Sequence, residues 1–300
     1  MKIGAWKYIF AALILGVVAV LLGVSNSPDK NLHLIACDVG QGDGTLITYE
    51  STQILIDGGP DSKILDCLGK HIPYWDRKIE VVILSHPQLD HYGGLIEVVR
   101  RYEVENFVAN ALDSKADAYQ ELKREIADRG IKVINPTQNT AIRYGSLYID
   151  IVYPSDSFLL QNSSVASEAQ GSDVLGSYTS NRDPNEFSVV AILTFGEFDA
   201  LFMGDITPEI IPEVIAGGEL KDVDFIKVPH HGSKNGLTQE LLNATAPEAA
   251  VISVGKNNRF GHPHEQVLTM LTDAGVEILR TDELGDVEII TDGISWEAKP

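Results

Sequence analysis

The chain has 300 residues, 44% apolar and 22% charged, which suits one large α/β domain or two small ones and excludes a disordered or collagen-like polymer. Its 43 acidic and 23 basic residues give a net charge of −20, so DNA phosphates are repelled at long range unless a local basic patch or a metal ion intervenes. Two cysteines, Cys37 and Cys67, are too few for a disulfide scaffold or a Cys-rich zinc module, and their apolar contexts read as small core residues.

Residues 8–24 hold no charge over 17 positions. As a helix they span ~26 Å, slightly short of a hydrocarbon core of ~30 Å. Lys2 and Lys7 precede the run, and Trp6 and Tyr8 sit where an interfacial belt would lie. The run exceeds the ~7–15 apolar residues of a cleaved signal, and Val24-Ser25-Asn26-Ser27 is a poor cleavage site. The expectation is a single-pass anchor and linker over residues 1–30, with a cleaved signal and a secreted domain as the alternative. The positive-inside rule puts Lys2 and Lys7 in the cytoplasm and residues 31–300 outside it. That exported part holds 20 basic and 42 acidic residues.

Strand signals follow at 32–38, 45–49 and 53–57, broken by Gly-rich turns. Residues 61–70 read as a helix. The continuous apolar run at 79–86 predicts a strand buried on both faces. A helix at 93–102, a strand at 104–110 and a polar amphipathic helix at 114–129, ended by Gly130, come next. Residues 147–153 alternate, and 187–195 with 198–205 read as a hairpin around Gly196. A helix at 208–216, a helix near 263–274 and four short strands complete the pattern. Strands interspersed with helices in both halves suit two sheets packed face to face with helices outside. Residues 155–184, rich in Ser, Asn, Gln, Asp and Gly, predict a lid or a flexible insertion. The GQGDG run at 40–44 lacks GxGxxG spacing and leads into a strand, which rejects a dinucleotide loop.

Chemistry-bearing residues cluster at strand ends. His86, Asp90 and His91 fall within six residues of tight backbone after the buried strand, where side chains can converge on one cation. Asp57 in ILIDGG, Asp205 in LFMGDI, the pair His230-His231 in KVPHHGS, and His262 and His264 in GHPH stand at other strand ends. Adjacent histidines point in different directions, so one of the pair is expected to ligate.

In this order the residues resemble the metallo-β-lactamase fold. The wording of DVGQGD, LIDGG, HPQLDHYGG, NEFSVV, MGD, VPHHGS and GHPH is similar to the extracytoplasmic hydrolase domain of ComEC-type competence proteins, over residues 32–297. The resemblance implies an αββα four-layer sandwich with metals at its open edge. It implies that Asp90, His91 and His230 hold one metal, that Asp205 bridges to a second position served by His86, and that Asp57 fixes the metal loop by hydrogen bonds. His262 would ligate or contact the leaving group. Gln88 stands where many members of the fold have a second His, and Asn185 or Ser188 falls where a further His is usual. Such an oxygen-rich, incomplete pair of sites takes zinc or manganese, one ion or two.

Metal-dependent hydrolysis needs no Ser or Cys nucleophile. For a phosphodiester, His231, Lys234 and His262 are candidates to help the leaving oxygen. Three functions stay open. The first is a metal-dependent phosphodiesterase or nuclease, with DNA as partner. The second is a metal hydrolase of another envelope phosphoester or ester, favoured by the negative charge. The third is a metal-binding module without catalysis. The sequence predicts no protein partner, and it predicts membrane contact only through the N-terminal helix.

Overall fold

A computed structural model describes residues 4–25, 29–165 and 174–299, and the chain divides into two units, Met1–Lys30 and Asn31–Pro300. The first unit is the helix Gly4–Ser25, 22 residues long. Its side chains from Trp6 to Val17 are exposed, and those of residues 18–28 lie outside the described residues. Among the described residues no helix is long and apolar enough to cross a membrane. The expected anchor therefore rests on the sequence of residues 1–30 alone.

In the second unit, one sheet runs from edge to edge through Trp296–Lys299, Val287–Thr291, Leu32–Ala36, Thr45–Tyr49, Thr52–Ile56, Lys78–Leu84, Glu103–Ala109 and Lys132–Ile134. The other runs through Glu277–Arg280, Ala249–Ile252, Phe225–Lys227, Phe198–Phe202, Val190–Phe195, Leu147–Tyr153 and Ala141–Tyr144. Strands Thr52–Ile56 to Lys132–Ile134 are mutually parallel, and so are Phe198–Phe202 to Glu277–Arg280.

The apolar run at 79–86 shows why the sheets stack. Val81 and Ile83 join a core shared with Ile149, Leu193, Phe202 and Val251 of the other sheet. Val82 and Leu84, on the opposite pleat, join a core with Leu68, Leu95 and Leu122 of the covering helices. The second sheet repeats the pattern: Ile192, Leu201 and Ile226 pack against Val214, Leu241 and Leu271. Two sheets covered by helices on both outer faces are the αββα sandwich that the motifs imply.

The local corrections have physical causes. The helix expected at 93–102 forms over Leu95–Arg101, and a separate helical turn, Leu89–Tyr92, precedes it across Gly93-Gly94. A Cβ on Gly93 would stand 2.1 Å from the Pro60 carbonyl oxygen, and one on Gly94 2.1 Å from that of Gly58, so only glycine lets these loops meet. Strands Ala141–Tyr144 and Trp296–Lys299 and helix Gln239–Thr245, capped by Thr238, are additional. The insertion at 155–184 is anchored at both flanks. Ser155 caps the helix Asp156–Asn162, Ser164–Val165 pairs with Tyr178–Thr179, and Tyr178 exchanges backbone hydrogen bonds with Ala111 and Asp113, each 2.7 Å. Its middle, residues 166–173, lies outside the described residues, and the lid expectation falls there.

Cys37 and Cys67 are buried, as expected, but they are paired in a disulfide with a Cα separation of 5.8 Å. Cys37 directly follows the strand Leu32–Ala36 and Cys67 sits on helix Ile64–His71, so the helix docking on the sheet brings them together. Their separation of 30 residues predicts ~3.5 kcal/mol of stabilisation from loop closure. Cys67→Ala should lower the unfolding free energy by about that amount in a denaturant titration. A loss below ~1 kcal/mol would show that the cross-link adds little to the helix packing.

Candidate metal centre

The carboxyl ends of the parallel strands deliver the polar side chains to one edge of the sandwich, where open α/β sheets bind ligands. Asp57 follows Thr52–Ile56, Ser85 and His86 follow Lys78–Leu84, Asp205 follows Phe198–Phe202, and Pro229 to His231 follow Phe225–Lys227. Gln88 starts the helical turn Leu89–Tyr92, its carbonyl accepting from His91 N–H (3.0 Å) and Tyr92 N–H (3.1 Å), and that turn presents Asp90 and His91.

Four side chains converge. Asp90, His91, Asp205 and His231 each offer one ligand atom, and these atoms lie within 4.8 Å of one another. His91 Nε2 and His231 Nε2 each stand 3.4 Å from Asp205 Oδ2, and His231 Nε2 stands 3.4 Å from Asp90 Oδ2. Ligands at ~2.0–2.1 Å on a tetrahedral ion are about 3.4 Å apart. His91, Asp205 and His231 are at most 2% exposed, whereas the Asp90 side chain keeps 33% of its surface.

The outer nitrogens decide which lone pairs face the cluster. His91 Nδ1–H donates to Asp57 Oδ2 (2.8 Å), and His231 Nδ1–H reaches Asp43 Oδ1 (3.0 Å) and the Ser253 carbonyl (3.1 Å). Ser85 Oγ donates to Asp57 Oδ2 (2.7 Å) and accepts from His86 Nδ1–H (3.0 Å). In the neutral rings each acceptor fixes the tautomer that leaves Nε2 bare. His86 Nε2, His91 Nε2, His231 Nε2 and Asp205 Oδ1 are accordingly buried with no hydrogen-bond partner. Buried polar atoms left without partners are costly. A divalent cation satisfies them, and two carboxylates with two imidazoles are a donor set that fits one.

The electrostatics agree. Burial opposes the charge of Asp205, yet His231 and His91 hold its carboxyl well below the usual range. Burial likewise opposes a charged His91 or His231, and Asp205 overcomes it at both, helped by Asp57 at His91 and by Asp43 at His231, so both pKa values lie well above normal. A cation bound here would take the place of those protons, since a ligating imidazole must be neutral. His86 is the exception: burial and the neighbouring His91 push it down to about 3, leaving a neutral imidazole whose Nε2 can serve a second position.

The structure reverses the expectation for the adjacent histidines. His231, not His230, is in the four-residue cluster. His230 keeps 25% of its side-chain surface, and its Nε2 lies 3.9 Å from Asp205 Oδ2. Both residues have left-handed backbones, φ 54° and 53°, a tight turn that drives one ring inward and the other toward the mouth. Asp57 fits its expected supporting place, because His91, Ser85 N–H and Ser85 Oγ occupy both its oxygens. Ser188 Oγ accepts from Asp205 N–H (3.2 Å), and Asn185 is buried with its Oδ1 unpartnered. His262 lies at the rim, its ring 6.5 Å from that of His231 and 6.1 Å from that of His230. Burial and the surrounding histidines push it down to about 4, so it is neutral near pH 7. Lys234 is exposed, and only its backbone N–H meets the rim, at His264 Nδ1 (3.2 Å).

Sequence reasoning missed Asp43 and Lys227. Lys227 is 3% exposed and its ammonium forms an ion pair with Asp43 Oδ2, which backs His231. Burial opposes the Asp43 charge, but Lys227 and then His231 hold its carboxyl below the usual range. Each residue stood inside a quoted motif, DVGQGD or KVPHHGS; an acid and a lysine at two buried strand ends were the available signal. A further trio, Cys67, His71 and Asp286, has no free thiolate because Cys67 is disulfide-bonded.

A family model described as the Metallo-beta-lactamase superfamily matches residues 37–256. The chain is 25% identical over 272 residues to ComE operon protein 3 of Bacillus subtilis, covering 84% of this chain and 32% of that protein. It is 32% identical over 267 residues to competence protein ComA of Neisseria gonorrhoeae, covering 87% of this chain and 32% of that one. The chain thus spans about a third of the length of these relatives. Among solved structures, the metallo-beta-lactamase fold protein YhfI from Bacillus subtilis aligns with TM-score 0.51 and 12% identity, over 83% of this chain and 96% of that one. Tm1679, titled a metal-dependent hydrolase of the beta-lactamase superfamily, aligns with TM-score 0.50 and 13% identity, over 83% and 95%. These similarities establish the fold.

Proposed function

Since the chain belongs to the metallo-beta-lactamase superfamily, we propose that it is a metal-dependent hydrolase acting on phosphodiesters, with a nucleic acid as its substrate class. One observation carries the reading: Asp90, His91, Asp205 and His231 converge, and His91 Nε2, His231 Nε2 and Asp205 Oδ1 are buried there without hydrogen-bond partners. The competence relatives support DNA handling, and neither cysteine is a free nucleophile, because the two are paired in a disulfide.

A divalent ion, zinc or manganese, would be held by those four residues and would supply an activated water together with charge withdrawal from a phosphoryl oxygen. The protein's own groups do the rest. Asp57 and the Ser253 carbonyl hold the two imidazoles in the ligating tautomer, with the Asp43 carboxylate beside His231. Asp90, the exposed member, faces the side from which substrate enters. His262, neutral at the rim, can accept a hydrogen bond from an incoming group. The net charge of −20 favours a second reading, hydrolysis of a smaller non-nucleic-acid phosphoester.

A panel of bis-p-nitrophenyl phosphate, single-stranded DNA and a chromogenic lactam, each with added zinc or manganese, separates these readings. Cleavage of DNA is expected. Activity on the small diester alone would favour the second reading, and tight metal binding with no turnover of any substrate would overturn both. The reading that residues 31–300 lie outside the cytoplasm rests on the uncharged run at 8–24 behind Lys2 and Lys7. Protease added to intact spheroplasts should digest the domain; protection of it while a known external protein is cut would reverse that assignment.

A further inference from the structure

The mouth of the site carries an element that metal binding does not use. The loop after strand Ala249–Ile252 is organised by one side chain. Asn258 Nδ2 donates to the carbonyls of Gly255 (3.0 Å) and His262 (2.8 Å), and Asn258 Oδ1 accepts from the N–H groups of Phe260 (3.2 Å) and His262 (3.0 Å). A loop fixed in this way nevertheless leaves Phe260 51% exposed. The Phe260 ring stacks on His262 at 5.6 Å and 25°, and the His262 ring stacks toward His231 at 6.5 Å and 25°. Two ring-to-ring steps therefore connect solvent to the metal cluster.

Basic groups stand on this rim. Lys256 and Arg259 are exposed on this loop, and Lys234 is exposed beside His264. Among the described residues none of the three is in an ion pair with a carboxylate; Arg100, Arg101, Arg143, Arg182 and Arg280 are paired, and Lys63, Arg77, Lys115, Arg124 and Lys132 are without an ion pair away from this loop. The basic groups left free thus include three at the rim of the site. Arg259 lies over the Phe260 ring, 5.1 Å from its centroid. An exposed cation–π contact of this kind is weaker than the stacking of a nucleobase on an aromatic ring, so a base displaces the guanidinium and frees it for a phosphate.

We propose that Phe260, backed by His262 and flanked by Arg259 and Lys256, is a stacking platform that grips an unpaired base of a single-stranded nucleic acid beside the phosphate held at the metal cluster. The proposal rests on the phosphodiesterase reading and narrows it. A duplex keeps its base faces covered, so the platform selects single strands; the cations supply the sequence-independent attraction that the chain as a whole lacks.

The test uses the full chain loaded with zinc and a labelled single-stranded 12-mer, intact or carrying abasic sites. Wild type should prefer the intact strand by about 5- to 150-fold in kcat/KM, the range that one base–aromatic stack supplies. Phe260→Ala should bring that ratio close to one with zinc content unchanged, and Phe260→Tyr should keep it. Trp75→Ala, at an exposed aromatic on another loop, should keep it too. If the protein cleaves no diester, the phosphodiesterase reading fails, and the same ratio is read from Kd by fluorescence anisotropy. A ratio equal in wild type and Phe260→Ala overturns the platform, whether or not hydrolysis occurs. Binding to anionic vesicles that Phe260→Ala abolishes while the ratio stays fixed would assign the ring to a lipid surface instead.

Discussion

Replacing His231 with alanine should lower zinc affinity by at least ~100-fold, whereas His230→Ala should cost less than ~10-fold. Loss of a partner that merely supports a ligand already costs about 10–100-fold, so loss of a ligand sits at or beyond that range. The two histidines are neighbours in sequence and both lie near Asp205, yet only His231 is buried, backed by Asp43 and Ser253, and 3.4 Å from both Asp205 and Asp90. Its removal also leaves Asp43, Asp90 and Asp205 facing one another with less cation to neutralise them. Titration with a competing chelator gives both affinities. A larger loss from His230→Ala would return that residue to the ligand set and leave His231 a structural ring.

Lys227→Met should lower stability by about 3–5 kcal/mol, because it strands the Asp43 carboxylate in a buried site with no ammonium beside it. The methylene stem is largely preserved, so the loss reports the charge and not a cavity. Zinc affinity should fall in the same variant, since Asp43 then competes for a proton instead of orienting His231. Asp43→Asn tests the same link from the other side: the amide oxygen can still accept from His231, and much of the metal affinity should survive while Lys227 loses its counter-charge. Denaturant titration and zinc competition give the two readouts. A Lys227→Met loss below ~1 kcal/mol would mean that water reaches the pair and that it does not support the cluster.

Much of the sandwich was legible because burial writes itself into sequence at short range. The unbroken apolar run at 79–86 announced a strand covered on both faces, and Val81/Ile83 and Val82/Leu84 divide between the two cores as a pleat requires. Asp90 and His91 were legible for a related reason: one short turn after a buried strand leaves them little freedom to point elsewhere. Asp205 added a strand end whose polar residue had no local role. The flanks of 155–184 were not legible from composition: the helix that Ser155 caps was not expected, and the docking of Tyr178 on Ala111 and Asp113 depends on a distant loop.

The sequence by itself determined the alternation of strands and helices, the placement of carboxylates and imidazoles at strand ends, and the family to which they belong. Those properties depend on residue type and on spacing within a few turns of chain. The tertiary structure decided the rest. It paired Cys37 with Cys67 across a docked helix. It joined Asp43 to Lys227 across 184 positions. It chose His231 over His230 through two left-handed residues whose side chains diverge. It set Phe260 above His262 on a loop that one asparagine holds. In each case the deciding contact lies between segments whose approach is fixed by the packing of sheets and helices, or turns on a backbone angle that residue identity leaves open.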